Sequence, residues 1–439
     1  MKRIARKATV GTVATAVLVG TLGLTATTAS ADPYRPIVVV GSNTIEDLYN
    51  GYGNGFPTTI GGTFHGATFT PSGVLSMIAS YDSVGTASIQ TNADKTQFTR
   101  PNGSGAGRKA LSGAWDDLNH AYAGVQLQNS DVTMSRSSSK TGKAWAAADK
   151  GTTANQESFI PLGRDAVGVA EYTPGGVTAI ANFTLPQLEA LYGAKADATN
   201  NPTANLGLYT QVTGQTTIGD IVASGSGAAQ VEYIVTASGN VPVQPVFAQH
   251  SSGTNQFFST AINAALSSSG TSDSFGAWVK QSDSWEENTA NVISSGTKAT
   301  PNAANSILIV PFSGAAAVAQ NNGLATDTGL STISFPTVGG SALFTGSGAS
   351  ATPGALYGST TVQPTYVAGD FTRDVYTVVP TSQLTTTYGG ISLQTLATNL
   401  LVTQKDSAGG TLVADYGFKA FSTTYTSNTS HWFESPYEH

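Results

Sequence analysis

The stretch "TRPNGSGAGRKAL", residues 99–111, places glycines at 103, 105 and 107 around Ser104 and then runs into a basic, helix-compatible segment. Its composition leaves three readings: a linker, a nucleotide loop, or a cradle for some other anion. The glycines are not at G-x-G-x-x-G spacing, and Pro101 argues against a central strand leading in, which removes the nucleotide loop. A flanking helix argues against a linker. What remains is a loop in which Ser104 and neighbouring N–H groups face an anion, because a helix N-terminus carries unpaired N–H groups and the positive end of the helix dipole. On this reading Arg108 and Lys109, in the first turns of the helix, are solvated and not ligand contacts.

Two further helix starts share this make-up. In "PIVVVGSNTIEDLYNGYG" (36–53) the apolar run Ile37 to Val40 reads as a buried strand, Gly41 and Ser42 turn the chain, and Ile45, Leu48, Tyr49 and Tyr52 follow at helical spacing. Asn43 is a candidate N-cap with Glu46 three residues on. Glu46 and Asp47 already complement the dipole, so an ordinary first helix is the simpler reading of this start alone. In "VPVQPVFAQHSSGTNQFFSTAINAAL" (241–266), Ser251, Ser252, Gly253 and Thr254 sit at the turn, and Phe257, Phe258, Ile262 and Ala265 share a helix face. Alone, that loop reads equally well as a plain Ser/Thr cap. "NFTLPQLEALYGAKA" (182–196) is scaffold: Thr184 and Gln187 have capping-box spacing ahead of Leu185, Leu188, Leu191 and Tyr192. Strands alternating with helices predict an α/β fold. Three converging starts are chemically sufficient for a desolvated anion, since about half a dozen charge-assisted hydrogen bonds at roughly 1.5–3 kcal/mol each offset a burial cost of several kcal/mol.

The ends and the composition narrow the class. Met1 to Ala31 reads as an export signal, with Lys2, Arg3, Arg6 and Lys7 ahead of an apolar stretch from Val10 to about Leu24 and a small-residue cleavage pattern at Ala29-Ser30-Ala31. The mature chain then starts near Asp32 and is secreted, or associated with a cell wall, without membrane insertion. Losing four cations and no acidic residue takes the formal charge from −7 to −11, which argues against nucleic acid or an anionic membrane as partner. The absence of cysteine excludes disulfides and a lipid-bearing cysteine. Only 11% of the 439 residues are charged, so solubility rests on small polar side chains. The Gly/Ser-rich segment 337–359 reads as a surface insertion.

Nine segments in order resemble phosphate-binding proteins of ABC-transporter type and look closest to the divergent actinobacterial branch: "GSNTIEDLYNGY", "RPNGSGAGRKAL", "DVTMSRSSS", "FIPLGRDAVGVAEY", "FTLPQLEALY", "SSGTNQFF", "SILIVPFSG", "FTRDVYTVVP" and "DYGFKAF". The resemblance spans about residues 37–420. It implies a type II periplasmic-binding-protein fold, with two α/β lobes joined by two crossing segments and a ligand cleft between them. Lobe I would be 34–158 plus 372–439, and lobe II 159–371, with a hinge near "FIPLGRDAV" and "FTRDVYTVVP". Carried over by position, the ligand contacts fall on Thr44 and Ile45, on Ser104 with Gly105, and on Ser252, Gly253 and Thr254.

Two departures from the family matter. Its proton-accepting aspartate is replaced by Arg136, and the arginine and aspartate that precede its Ser-Gly-Thr are replaced by Ala248 and His250. Arg136 thus becomes the expected charge partner. An arginine binds fully ionised and protonated anions alike, so phosphate is expected to be selected only weakly over sulfate-like ions. Other chemistry is thin. His65, His120, His250, His431 and His439 lack metal-ligand spacing, there is no G-x-S-x-G or G-K-[ST], and Glu286 and Glu287 read as a solvated turn. No cofactor is implied. The leading expectation is a secreted, monomeric binding protein for phosphate or a related oxyanion, with a transporter permease as its further partner. Behind it stand a cell-surface structural or adhesive protein that keeps the fold without the ligand, and a phosphate-ester hydrolase.

Overall fold

The apolar run after Pro36 forms the strand Ile37–Gly41 (β1) in the computed structural model, which describes residues 34–438 apart from 58, 61–62, 65–66, 95–96, 117–119, 141–142, 145–154, 194–217, 250–251, 263–274 and 296–297. The proposed export signal lies outside the described residues, as do His65, His250, Ser251, Ala265 and His439. β1 leads through a short turn into Glu46–Asn54 (α1) and then Ile78–Ser80 (β2); Gly103–Trp115 (α2) precedes Met134–Ser137 (β3). β1 pairs in parallel with both β2 and β3. Helices cover such strands on both sides, which is why all five residues of β1 are buried and why they read as a continuous apolar run.

Gln156–Tyr172 (β4) is the spine. Beyond it come Leu185–Tyr192 (α3), Ile221–Ser224 (β5), Val231–Thr236 (β6), Gly239–Phe247 (β7), Gly253–Ala261 (α4), Ile307–Ser313 (β8), Gly314–Asn321 (α5) and Thr372–Pro380 (β9). Among the described residues thirteen strands join in one mixed sheet, with the main path β5-β6-β7-β8-β4-β9-β3-β1-β2. The chain is therefore α/β on one large sheet, as the alternation of strands and helices predicts. β4 pairs with β9 through Ala166 and with β8 from Val167 onward, so this strand belongs to both halves of the sheet. One half packs a core that includes Val39, Tyr49, Val375 and Trp432; the other packs Val169, Phe247, Phe258 and Ile309.

The antiparallel register sets Arg164 opposite Asp374 and Asp165 opposite Arg373. Neighbouring strand residues point to opposite faces, so the sequence Arg-Asp on both strands gives one ion pair on each face. Arg164 Nε lies 2.7 Å from Asp374 Oδ1, and Arg373 Nη2 lies 2.7 Å from Asp165 Oδ2, with all four side chains buried. Buried charges are tolerable only when their remaining valences are met. Tyr425 Oη donates to Asp374 at 2.8 Å, while Ser313 Oγ and the Ala315 N–H donate to Asp165 at 2.9 and 3.0 Å. Arg164 also donates to the carbonyls of Ser359 and Val362.

Two expectations need correction here, the glycine-rich loop and the solvated Arg108. The glycine-rich "loop" is helical from Gly103, and its tightest glycine serves packing: a Cβ on Gly107 would come 2.3 Å from the Cα of Gly41. Arg108 is buried, not solvated. It donates to Glu157 at 2.8 Å, Glu438 at 2.9 Å and Ser435 at 3.1 Å, which ties α2 to β4 and to the C-terminal strand Phe433–Pro436. Segment 337–359, expected to be a surface insertion, is largely exposed and is anchored at a few buried side chains. Its Leu343 and Tyr357 pack with Ala166, and Tyr357 Oη donates to the Gly417 carbonyl at 2.8 Å. Its glycine content reflects turns, with positive φ at Gly339, Gly340, Gly346 and Gly348. The capping box of Thr184 and Gln187 is formed as predicted.

Removing either carboxylate charge at the crossing strands strands a buried arginine. Asp165→Asn and Asp374→Asn are each expected to lower unfolding free energy by about 3–5 kcal/mol in urea titrations; a loss below about 1 kcal/mol would contradict the pairing. A second prediction concerns Glu232 on β6, which is fully buried and, among the described residues, takes a hydrogen bond from Gln230 alone, on Oε1. Burial pushes its carboxyl up from 4.5 to about 7. Between those values the folded chain holds a proton that the unfolded chain releases, so stability is present below about pH 4.5 and lost as pH rises to about 7. Glu232→Gln is expected to remove roughly 2–3 kcal/mol of that decline, read from unfolding curves at the two pH values.

Candidate functional site

Of the expected ligand positions, Thr44, Ser104, Gly253 and Thr254 come together. Ser42 and Thr44 lie in the turn after β1, Ser104 in the first turn of α2, Ser138 just beyond β3, and Ser252 to Thr254 at the start of α4. Ser42 Oγ donates to Ser138 Oγ at 2.9 Å, Ser104 Oγ is 3.2 Å from Ser138 Oγ, and Thr44 Oγ1 is 3.1 Å from Thr254 Oγ1. All of these hydroxyls are buried. Ile45 instead places its side chain in the core beneath α1, and Gly105 is half-buried with open space around it.

α4 starts where it does because Ser252 caps it, accepting from the Asn255 N–H at 3.1 Å. That bond fulfils the plain-cap reading for Ser252 and leaves Gly253 and Thr254 as the residues facing the other segments. Gly253 fits because it lacks a side chain: a Cβ there would come 2.3 Å from Ser138 Oγ and 2.6 Å from Ser104 Oγ.

Two charged residues enter the cluster that sequence reasoning did not assign to it. Arg373 Nη2 donates to Thr254 Oγ1 at 2.9 Å and Nη1 to the Ser138 carbonyl at 3.0 Å, while its Nε and Nη2 hold Asp165. Glu287, read from sequence as part of a solvated turn, is 2% exposed. Its Oε2 accepts the Thr254 N–H at 3.1 Å and its Oε1 accepts from Thr44 Oγ1 at 3.3 Å. Glu286 also departs from that reading, accepting from Asn102 and Gln249. The reason is the backbone: the segment is not helical, so the two adjacent glutamates face different partners across the cluster.

Arg136 is put to a different use from the one its sequence position suggests. It lies on β3, fully buried, and donates to the carbonyls of Ser42, Gly41 and Tyr81 and to Ser80 Oγ, with Glu46 at 3.6 Å. Every nitrogen of its guanidinium thus has a protein partner, and it holds the turn that carries Ser42 and Thr44. Burial lowers its pKa from the ordinary value, opposed by the charges of Glu46 and Asp82.

Beside the hydroxyl cluster lies a cavity of about 350 Å³ lined by Thr44, Glu46, Asp47, Asp82, Glu286 and Glu287 among others. Burial pushes Glu46 and Glu287 each to about 7 and raises Asp47 and Glu286. Glu46 and Glu287 therefore each carry a proton part of the time near neutrality, which lessens the repulsion between the carboxyls. No group of His, Asp and Glu that could hold a metal ion occurs among the described residues.

No family model matches the chain, and no curated protein matches it. Solved structures do. A possible phosphate-binding protein from Planctomyces limnophilus is 12% identical, with 90% of this chain and 95% of that one covered and a TM-score of 0.36. A putative phosphate ABC-transporter substrate-binding protein with bound phosphate from Clostridium perfringens is 11% identical over 88% and 99%, at 0.38. A human phosphate-binding apolipoprotein is 15% identical over 89% and 92%, at 0.44. At this distance no residue role passes from them to this chain.

Arg373 supports the cluster by holding Thr254. Arg373→Met is expected to leave Asp165 buried without its cation, lowering stability by about 3–5 kcal/mol in urea titrations. The conservative Arg373→Lys should recover part of that loss but not the planar, two-sided contact to Thr254 and Ser138.

Proposed function

We propose that this chain is a secreted solute-binding protein that captures an oxyanion, phosphate foremost, between two α/β lobes, 34–158 plus 372–439 and 159–371. The observation that carries this reading is the meeting of Thr44, Ser104, Ser138, Gly253 and Thr254, from four separated segments, with Arg373 alongside. Such a set offers hydroxyl donors, two helix starts and a cation. In this reading Arg373 takes the ligand role that sequence position suggests for Arg136, and Arg136 positions the first turn. The resemblance of nine segments to phosphate-binding proteins, including the actinobacterial branch, supports it independently. Delivery to a permease and a monomeric state belong to the same reading; catalysis does not.

The hydroxyls bond to one another, and Gly253 abuts Ser138 and Ser104 too closely for an ion to lie between them. Binding therefore requires α4 to draw back from α2 and the segment after β3. β4, which runs through both halves of the sheet, and β9 beside it are the segments about which that movement would occur.

The mutual bonding of the hydroxyls and the carboxyl-lined cavity favour a second reading, a cell-surface structural protein that retains the fold without the ligand. Isothermal titration of the mature chain with phosphate, with sulfate and with buffer alone separates the two. The capture reading predicts saturable heat with phosphate. Thr254→Val and Ser104→Ala each weaken binding by about 10- to 100-fold, the worth of one charge-assisted hydrogen bond. Sulfate competes within about a thousandfold, because donors and a cation do not require a protonated ligand. Absence of heat with either anion contradicts capture and leaves the structural reading.

A further inference from the structure

We infer that the Glu287 carboxylate is a built-in occupant of the anion site, seated on the first turn of α4, which an external oxyanion must displace in order to bind. This inference rests on the oxyanion reading above and adds a regulation of the same site.

Glu287 bridges two of the segments from which ligand contacts are expected. One carboxylate oxygen takes the Thr254 N–H, and the other takes the Thr44 hydroxyl. Those donors are 210 residues apart in sequence, and a free oxyanion held there would use both. A side chain tethered to the loop is present at high effective concentration and competes with any ligand of modest affinity. Its burial is as complete as that of the hydroxyls around it. Glu287 therefore satisfies the helix start when nothing else does, and it keeps the surrounding hydroxyls drawn together.

The groups facing this carboxylate decide how it responds to pH. From β9 the Arg373 guanidinium acts on it, from α4 Thr254, and from the turn after β1 Thr44; Glu286 adjoins it on its own loop. Glu46 and Asp47 of α1 and Asp82 after β2 line the same cavity. Burial pushes the Glu287 carboxyl up to about 7, against the pull of Arg373 and Thr254. An arriving anion adds negative charge and favours the neutral acid, which competes more weakly for the N–H and hydroxyl donors. Binding thus takes up a proton. The site is available below about pH 7, where Glu287 is protonated, and is increasingly self-occupied above it.

Sulfate keeps one charge across this range and so reports the protein's titration alone. The experiment is calorimetric titration of the mature wild-type chain, E287Q and E287A with sodium sulfate, and then with phosphate, at about pH 5.5 and about pH 8.5. Each titration is run in two buffers of different ionisation enthalpy, to count protons. The wild type is expected to bind sulfate about tenfold or more weakly at the higher pH, taking up close to one proton at about pH 8.5 and almost none at about pH 5.5. E287Q and E287A are expected to bind about tenfold tighter than wild type at the higher pH, with the pH response and proton uptake much reduced. Binding by the variants alone also supports displacement. If both variants bind either anion more weakly than wild type at both pH values, Glu287 supports the ligand and the inference is overturned, while the oxyanion reading stands. Equal binding by all three proteins overturns it in the same way. If none of the three binds either anion at either pH, the oxyanion reading falls as well.

Discussion

The fold depends on two reciprocal ion pairs. β4 and β9 each carry Arg-Asp, and antiparallel pairing sets each arginine against the other strand's aspartate, with one pair on each face of the sheet. A shift of register by one residue would bury like charges opposite each other and leave none of the four matched, so the pairs specify the alignment of β9 with β4. Replacing such pairs with apolar residues is often neutral for stability, so their contribution here is read as alignment more than net energy. Arg373 makes that alignment relevant to function, because the guanidinium that matches Asp165 also reaches Thr254 and Ser138. The position of the hydroxyl cluster is thereby tied to the register of the sheet.

Much of this was legible in the sequence, and the gaps have definite causes. The buried run Ile37 to Val40, the capping box at Thr184 and the apolar face of Phe257 and Phe258 follow from local periodicity, which local sequence encodes. So does the position of Ser104 at a helix start, although the helix begins at Gly103 with no intervening loop. Arg136 and Arg373 could not be told apart as ligand cations, because the difference lies in which acceptors surround each guanidinium, and those acceptors come from remote segments. The same is true of Arg108, whose partners are 49 and 330 residues away. Glu287 was hidden for another reason. A Glu-Glu pair in a polar turn has no local mark of burial, and only the meeting of that turn with α4 and the turn after β1 makes it part of the site. The repeated Arg-Asp was visible, and pairing the two segments antiparallel would have found the match.

The site combines two opposed tendencies. Hydroxyls, helix starts and Arg373 favour an anion, while the adjoining carboxyls repel one unless they hold protons. Burial resolves the conflict by raising the carboxyl pKa values, so the local charge is set by ambient pH as much as by the residues themselves. Around neutral pH a small change in environment redistributes protons between Glu46 and Glu287, the two carboxyls raised to about 7.

The central claim, that Thr44, Ser104, Ser138 and the start of α4 hold an oxyanion with Arg373 beside it, is tested most directly by locating a heavy-atom analogue in crystals. Crystals of the mature chain grown near pH 5.5 with tungstate would be used for anomalous scattering. The account predicts one strong peak among Thr44, Ser104, Ser138 and Thr254, with the Arg373 guanidinium in contact and Glu287 withdrawn from the Thr254 N–H. A peak against other residues, or none at saturating tungstate, would contradict it.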